Sequence, residues 1–114
     1  MPTARLLIIA LLLAFIAGCG LAYEANLRKQ VLADPATPAA IKESIEHDRI
    51  RVGMSKDQVV AAWGSPCWYC PGTRENSWGD TWEYNPFGTG RYSIGAGTYL
   101  FFDSAGHLKH WSKP

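Results

Sequence analysis

Ile50-Arg51-Val52-Gly53-Met54-Ser55-Lys56-Asp57-Gln58-Val59-Val60-Ala61-Ala62-Trp63-Gly64-Ser65-Pro66 is the stretch of the 114-residue chain that most clearly dictates local structure. Ser55, with Gln58 three residues on, forms a capping-box pair, and Asp57 sets a negative charge against the positive end of the helix dipole. Val59, Ala62 and Trp63 then share one helical face, with Val60 at its edge. Gly64 supplies the left-handed residue that ends a helix, and Pro66 prevents continuation. Gly53 serves a turn into this helix from an earlier one. Each of these residues has a sufficient structural reason, and none is assigned a catalytic role.

Upstream, Thr37 is expected to cap a second short amphipathic helix over 38–47, with Pro38 at its first position. Ile41, Ser44, Ile45 and Asp48 line one side of it, and His47 is read as a solvated surface histidine. Further back, Tyr23, Leu27 and Val31 recur every four residues as a narrow apolar stripe. An isolated segment of that length is marginal in water, and Asp34-Pro35-Ala36-Thr37-Pro38 breaks any helix. Residues 21–37 are therefore read as a spacer with partial helicity.

Downstream of Pro66 the pattern changes to period two. Trp82 and Tyr84 share a face of Thr81-Trp82-Glu83-Tyr84-Asn85, while Thr98-Tyr99-Leu100-Phe101-Phe102-Asp103 is apolar on both faces, which suits a central strand. Ser104-Ala105-Gly106 turns the chain into His107-Leu108-Lys109-His110-Trp111, closing a hairpin. Residues 67–75 are a candidate for a further strand, and the glycine-rich 86–97 segment reads as a long hairpin loop. The expected class is α+β, with two short helices packed on one face of a three- to four-stranded antiparallel sheet.

Composition sets the outer bounds. Eleven Lys and Arg against ten Asp and Glu give a formal charge of +1, and 47% of residues are hydrophobic. This describes one small domain and argues against a dedicated nucleic-acid binder or an acidic solvated tail. Behind Arg5 runs Leu6-Leu7-Ile8-Ile9-Ala10-Leu11-Leu12-Leu13-Ala14-Phe15-Ile16-Ala17, a helical length of roughly 18 Å, short of a hydrocarbon core of about 30 Å. A short apolar run between a positive charge and small residues reads as a secretory signal. Ile16-Ala17-Gly18-Cys19 resembles the bacterial lipobox. That resemblance implies removal of residues 1–18, acyl chains such as palmitate on Cys19, and a tether over 19–37 leading to a domain over 38–114. Stable anchoring takes two chains, so the domain itself need not touch lipid.

The residues Gly53-Met54-Ser55-Lys56-Asp57-Gln58-Val59, Trp63-Gly64-Ser65-Pro66, Trp82-Glu83-Tyr84, Tyr99-Leu100-Phe101-Phe102-Asp103 and Gly106-His107-Leu108 together resemble the SmpA/OmlA (BamE-like) lipoprotein domain. The resemblance spans roughly residues 41–111. It implies a helix–helix–strand–strand–strand fold shared in outline with β-lactamase inhibitor protein, which binds proteins through its surface and catalyses nothing. It also implies an outer-membrane lipoprotein whose domain faces the periplasm, with the inner membrane and the cell surface left open as locations. The protein partner it suggests is the outer-membrane β-barrel assembly machine. The 67–70 insertion and the glycine-rich loop depart from the family pattern, so a paralogue outside that machine fits equally well.

Cys67-Trp68-Tyr69-Cys70-Pro71 is the sharpest local chemical signal. In an exported, oxidising compartment Cys67 and Cys70 are expected to pair as a small-loop disulfide. Thiol-redox catalysis is the weaker reading, because the preceding helix presents the wrong end of its dipole to the pair. A zinc set of Cys67, Cys70, His107 and His110 is also weaker, since strand positions three apart point to opposite faces. Neither a metal nor a cofactor is expected. Trp68, Tyr69, Trp78, Phe87 and Tyr92 fall in expected loops, a composition suited to a protein-binding surface as well as to covering the sheet. The expected function is a non-enzymatic, lipid-anchored interaction module supporting outer-membrane assembly or envelope integrity. The alternatives are an inhibitor-type module for an exported enzyme or cell-wall component, and a CxxC redox protein.

Overall fold

The computed structural model describes residues 22–85 and 95–112. Within them lie helices α1 over 22–33, α2 Ala39–Glu46 and α3 Lys56–Trp63, then strands β1 Thr81–Glu83, β2 Tyr99–Phe102 and β3 Leu108–Ser112. The α+β class stands, with three helices where two were expected. The expected signal segment, Cys19, Phe87, Tyr92 and most of the glycine-rich 86–97 stretch lie outside the described residues.

At α3 the capping box forms as its residues dictate. The Gln58 amide donates to Ser55 Oγ at 3.2 Å, and the Ser55 amide donates to Gln58 Oε1 at 2.9 Å. Gly64 takes a φ of 82° and its N–H closes on the Val60 carbonyl at 2.7 Å. The burial, however, is wider than one face: Val59, Val60, Ala61, Ala62 and Trp63 are all buried. A helix covered all round must be packed on two sides.

Helix α1 supplies the second side. Leu27, Val31 and Leu32 pack against the core cluster, while Tyr23 stays exposed. Arg28 donates to the Ala61 carbonyl at 2.8 Å and reaches the Asp48 carboxylate at 3.3 Å, and the Ser65 amide donates to Glu24 Oε1 at 3.1 Å. The stretch expected to be a spacer is thus a docked helix. Thr37 departs from expectation for the same reason. Its buried hydroxyl donates back to the Val31 carbonyl at 2.9 Å, closing the end of α1, and Pro38 becomes the uncapped N-cap of α2.

Helix α2 turns its fully buried Ile45 inward and leaves His47 exposed. Asp48, just past it, has a φ of 55°, a left-handed conformation uncommon away from glycine. It is held there from two sides: its carbonyl accepts from Trp63 Nε1 at 2.9 Å, and its carboxylate meets Arg28.

The sheet has the order β1-β2-β3, antiparallel throughout. Thr81 pairs with Phe101 and Phe101 with His110, while Trp82 pairs with Leu100. Alternation therefore sends Trp82, Leu100, Phe102 and Leu108 into the core, joined by the fully buried Tyr84. Thr81, Glu83, Tyr99, Phe101 and His110 belong to the opposite face. The turn before α3 is stitched to β3, with Gly53 N–H to the Leu108 carbonyl at 2.8 Å and Leu108 N–H to the Met54 carbonyl at 2.7 Å.

Residues 67–75 form no fourth strand, yet they still satisfy the free edge of β1. Arg74 and Thr81 exchange both backbone bonds at 2.9 Å, the Glu83 amide donates to Thr73 Oγ1 at 3.0 Å, and the Cys67 amide donates to the Glu83 carbonyl at 2.8 Å. Pro66, Pro71 and the turn at 68–72 bend the segment away between these points, so only an isolated bridge survives. An unpaired edge is a template for aggregation, and a crooked, side-chain-assisted cover removes it.

Candidate functional site

The segment between α3 and β1 carries most of the chemistry-bearing residues. Cys67 and Cys70 are bonded, with Cα atoms 5.3 Å apart, and both are buried at 1% and 8% exposure. Between them Trp68 and Tyr69 project outward at 61% and 84% exposure. A closed loop this short ties two amphipathic rings to a framework already pinned along β1.

Trp68 does not stand free of the core. Its ring meets Trp82 edge-on at 5.3 Å, and Trp82 in turn lies 4.7 Å from Phe102. A cleft of about 210 Å³ opens beside this pair, lined also by Thr73, Arg74 and Glu75. Trp78, 79% exposed, borders a second cleft of about 170 Å³ with Asp80, Phe101, Lys109 and His110. Phe101 and His110 stack there at 4.5 Å, giving the cleft a flat aromatic floor. The two clefts share no lining residue, so the expected aromatic surface is divided between two places.

The electrostatics around these clefts are already committed to structure. Lys56 pairs with Asp80, and that hydrogen bond holds the Asp80 carboxyl below its ordinary value. Asp103 is held low by the backbone N–H of His107 at 2.9 Å and of Ala105 at 3.0 Å, which it uses to fasten the β2–β3 turn. Tyr99 is pushed up because its hydroxyl donates to the Glu83 carboxylate. Burial pushes the Tyr84 phenol up strongly, with the charge of Glu24 adding to the effect.

The structure does not bring His107 and His110 to the cysteines. His107 bridges Ser55 across the sheet edge, and His110 lies on Phe101. The residue that does approach the sulfurs is Glu83, whose carboxylate lies within 4.8 Å of both. Sequence reasoning missed it. Its position between Trp82 and Tyr84 marks it as facing away from the core, but nothing in the spacing links position 83 to 67 and 70. Among the described residues no helix is long and apolar enough to cross a membrane.

Comparison with known proteins yields no matching family model, no matching curated protein and no matching solved structure.

Proposed function

We propose that the chain is a lipid-anchored, periplasm-facing interaction module of the SmpA/OmlA type that supports outer-membrane assembly or envelope integrity by binding a protein rather than by catalysis. The single observation that carries this reading is the exposure of Trp68 and Tyr69 on a loop fixed by a disulfide and the β1 edge, with Trp68 edge-on to the buried Trp82, and of Trp78 beside the second cleft. Large aromatics give much contact area for little lost side-chain freedom, and they dominate the energetics of protein interfaces. Trp78 borders the cleft floored by Phe101 and His110 on the sheet face turned away from the core, while Trp68 extends the core-facing Trp82 outward. Anchoring is assigned to Cys19 by its place behind the apolar run.

The test is crosslinking capture from membranes with the full chain, comparing the natural protein with Trp68→Ala and Trp78→Ala. Recovery of β-barrel assembly components that the variants lose supports the reading. Recovery of one exported enzyme or a cell-wall fragment in their place moves the function to an inhibitor-type module. A mature product without acyl groups on Cys19 sinks the anchoring.

A further inference from the structure

Cys67, Cys70 and Glu83 surround one point from two elements of the fold, the cysteines from the 67–70 loop and the carboxylate from β1. Their Sγ and carboxylate oxygen atoms all lie within 4.8 Å of one another. In a tetrahedral zinc site, bonds of about 2.3 Å to sulfur and 2.0 Å to oxygen put donor atoms about 3.5–3.8 Å apart. Opening the disulfide moves the sulfurs toward that spacing, and a Cys-x₂-Cys pair is the commonest way a chain offers two thiolates to one ion.

Around these donors the structure holds orienting groups. Tyr99 donates its hydroxyl to the Glu83 carboxylate. The Asn85 side-chain amide donates to Cys70 Sγ at 3.4 Å. The Cys67 amide is fixed by the Glu83 carbonyl at 2.8 Å, so the loop and the strand are joined at the site itself. Gly72 makes room for the arrangement: a Cβ there would stand 2.4 Å from Glu83 Oε1 and 2.6 Å from the Tyr99 ring. Outer hydrogen bonds to ligating groups are what fix a metal site's geometry.

We infer that reduction of the Cys67–Cys70 bond converts this corner into a three-donor site, two thiolates and the Glu83 carboxylate, for a borderline-soft divalent cation such as Zn²⁺, with a fourth position left to water. The reduction uses an external dithiol. Its thiolate attacks the sulfur of Cys70, the more exposed residue of the pair, and the Cys67 thiolate leaves; the second thiol of the reagent then resolves the mixed disulfide, leaving two protein thiols and a cyclic disulfide, with two electrons and two protons transferred. Binding of the cation displaces both thiol protons to solvent. The oxidised chain has no such site, because its sulfurs are spent on each other. The inference is independent of the interaction role proposed above.

The experiment titrates Zn²⁺, and Co²⁺ as a spectroscopic probe, into the full chain with and without dithiothreitol pretreatment and removal. The reduced protein is expected to bind one ion, to show the thiolate-to-cobalt charge-transfer band and to melt at a higher temperature with zinc. The oxidised protein should show none of these. Glu83→Gln should weaken binding at least tenfold, Tyr99→Phe about tenfold or more, and Cys67→Ser should abolish the band; the pair of His107→Ala and His110→Ala should change nothing. Stoichiometric binding that Glu83→Gln leaves intact overturns the three-donor site. A reduced chain that loses its near-ultraviolet circular dichroism and is not refolded by zinc overturns it as well.

Discussion

The Tyr84 hydroxyl donates to the Gly64 carbonyl at 2.8 Å, inside the core and across 20 residues of sequence. The bond ties the strand that leads the sheet to the exit of α3, while the same ring packs edge-on against Trp63 at 5.3 Å. Tyr84→Phe keeps the ring and leaves the carbonyl of Gly64 without this donor. A buried polar group so orphaned costs about 1–3 kcal/mol. Urea unfolding of the variant should show that loss in the midpoint with an unchanged slope.

Lys56 and Asp80 join the start of α3 to the approach to β1, and Asp80 also accepts from the Asn76 amide at 3.2 Å. The folded carboxyl titrates below its ordinary value of 3.8, with the Lys56 hydrogen bond as the chief cause. A depressed folded pKa means stability that is complete above the unfolded value and disappears as the pH falls through the folded one. The pair is partly solvated, so the contribution is under about 1 kcal/mol. Asp80→Asn should therefore lower stability at pH 7, and the difference from the natural protein should shrink as the pH falls below 3.8 and through the depressed folded value, followed by thermal melts over the acid range.

Two glycines separate strain from crowding. Gly106, in the β2–β3 turn, has a φ of 83° with nothing within 4 Å of an added Cβ; Gly79 has a φ of 144°, and its Cβ would stand 2.0 Å from the Phe102 carbonyl oxygen. Gly106→Ala should cost about 1–2 kcal/mol from backbone strain alone, and Gly106→Asn less. Gly79→Ala must also push β2 aside and should cost clearly more. Chemical denaturation of the three variants side by side reads the difference.

A chain beginning at Thr37 lacks α1, whose Leu27, Val31 and Leu32 pack against the core cluster that includes Val60 and Ala61. It also loses both Arg28 contacts, to Ala61 and Asp48, and the Glu24 contact to Ser65. Its melting temperature should fall by many degrees relative to a chain beginning at residue 22, or the shorter chain should fail to fold cooperatively. Leu27→Asp in the longer chain should produce most of the same fall.

What the sequence made legible was local. The capping box of Ser55 and Gln58, the helix exit at Gly64, the shared face of Trp82 and the turn at Gly106 each depend on residues close in sequence, and each was read from them. Three strands and the central place of the doubly apolar β2 follow from alternation, whereas the further strand expected over 67–75 does not form. Docking of α1 was not legible, because a narrow stripe of Leu27 and Val31 on a marginal helix looks the same whether or not a partner surface waits for it. The surplus hydrophobicity of α3, with Val60 and Ala61 off its expected face, was the available signal. The candidate site was half legible. The cysteine pair and the exposed aromatics declare themselves, whereas Glu83 joins them through strand register that no spacing reveals.

The docking of α1 also governs how the molecule bears a pull. Arg28 fastens the helix to the Ala61 carbonyl and the Asp48 carboxylate, and Glu24 fastens it to the Ser65 amide, so a pull on the chain at residue 22 is borne first at both ends of the α2–α3 layer. The Tyr84–Gly64 bond then passes that load from the exit of α3 to the sheet, so the molecule resists traction from that side as one piece rather than unzipping strand by strand.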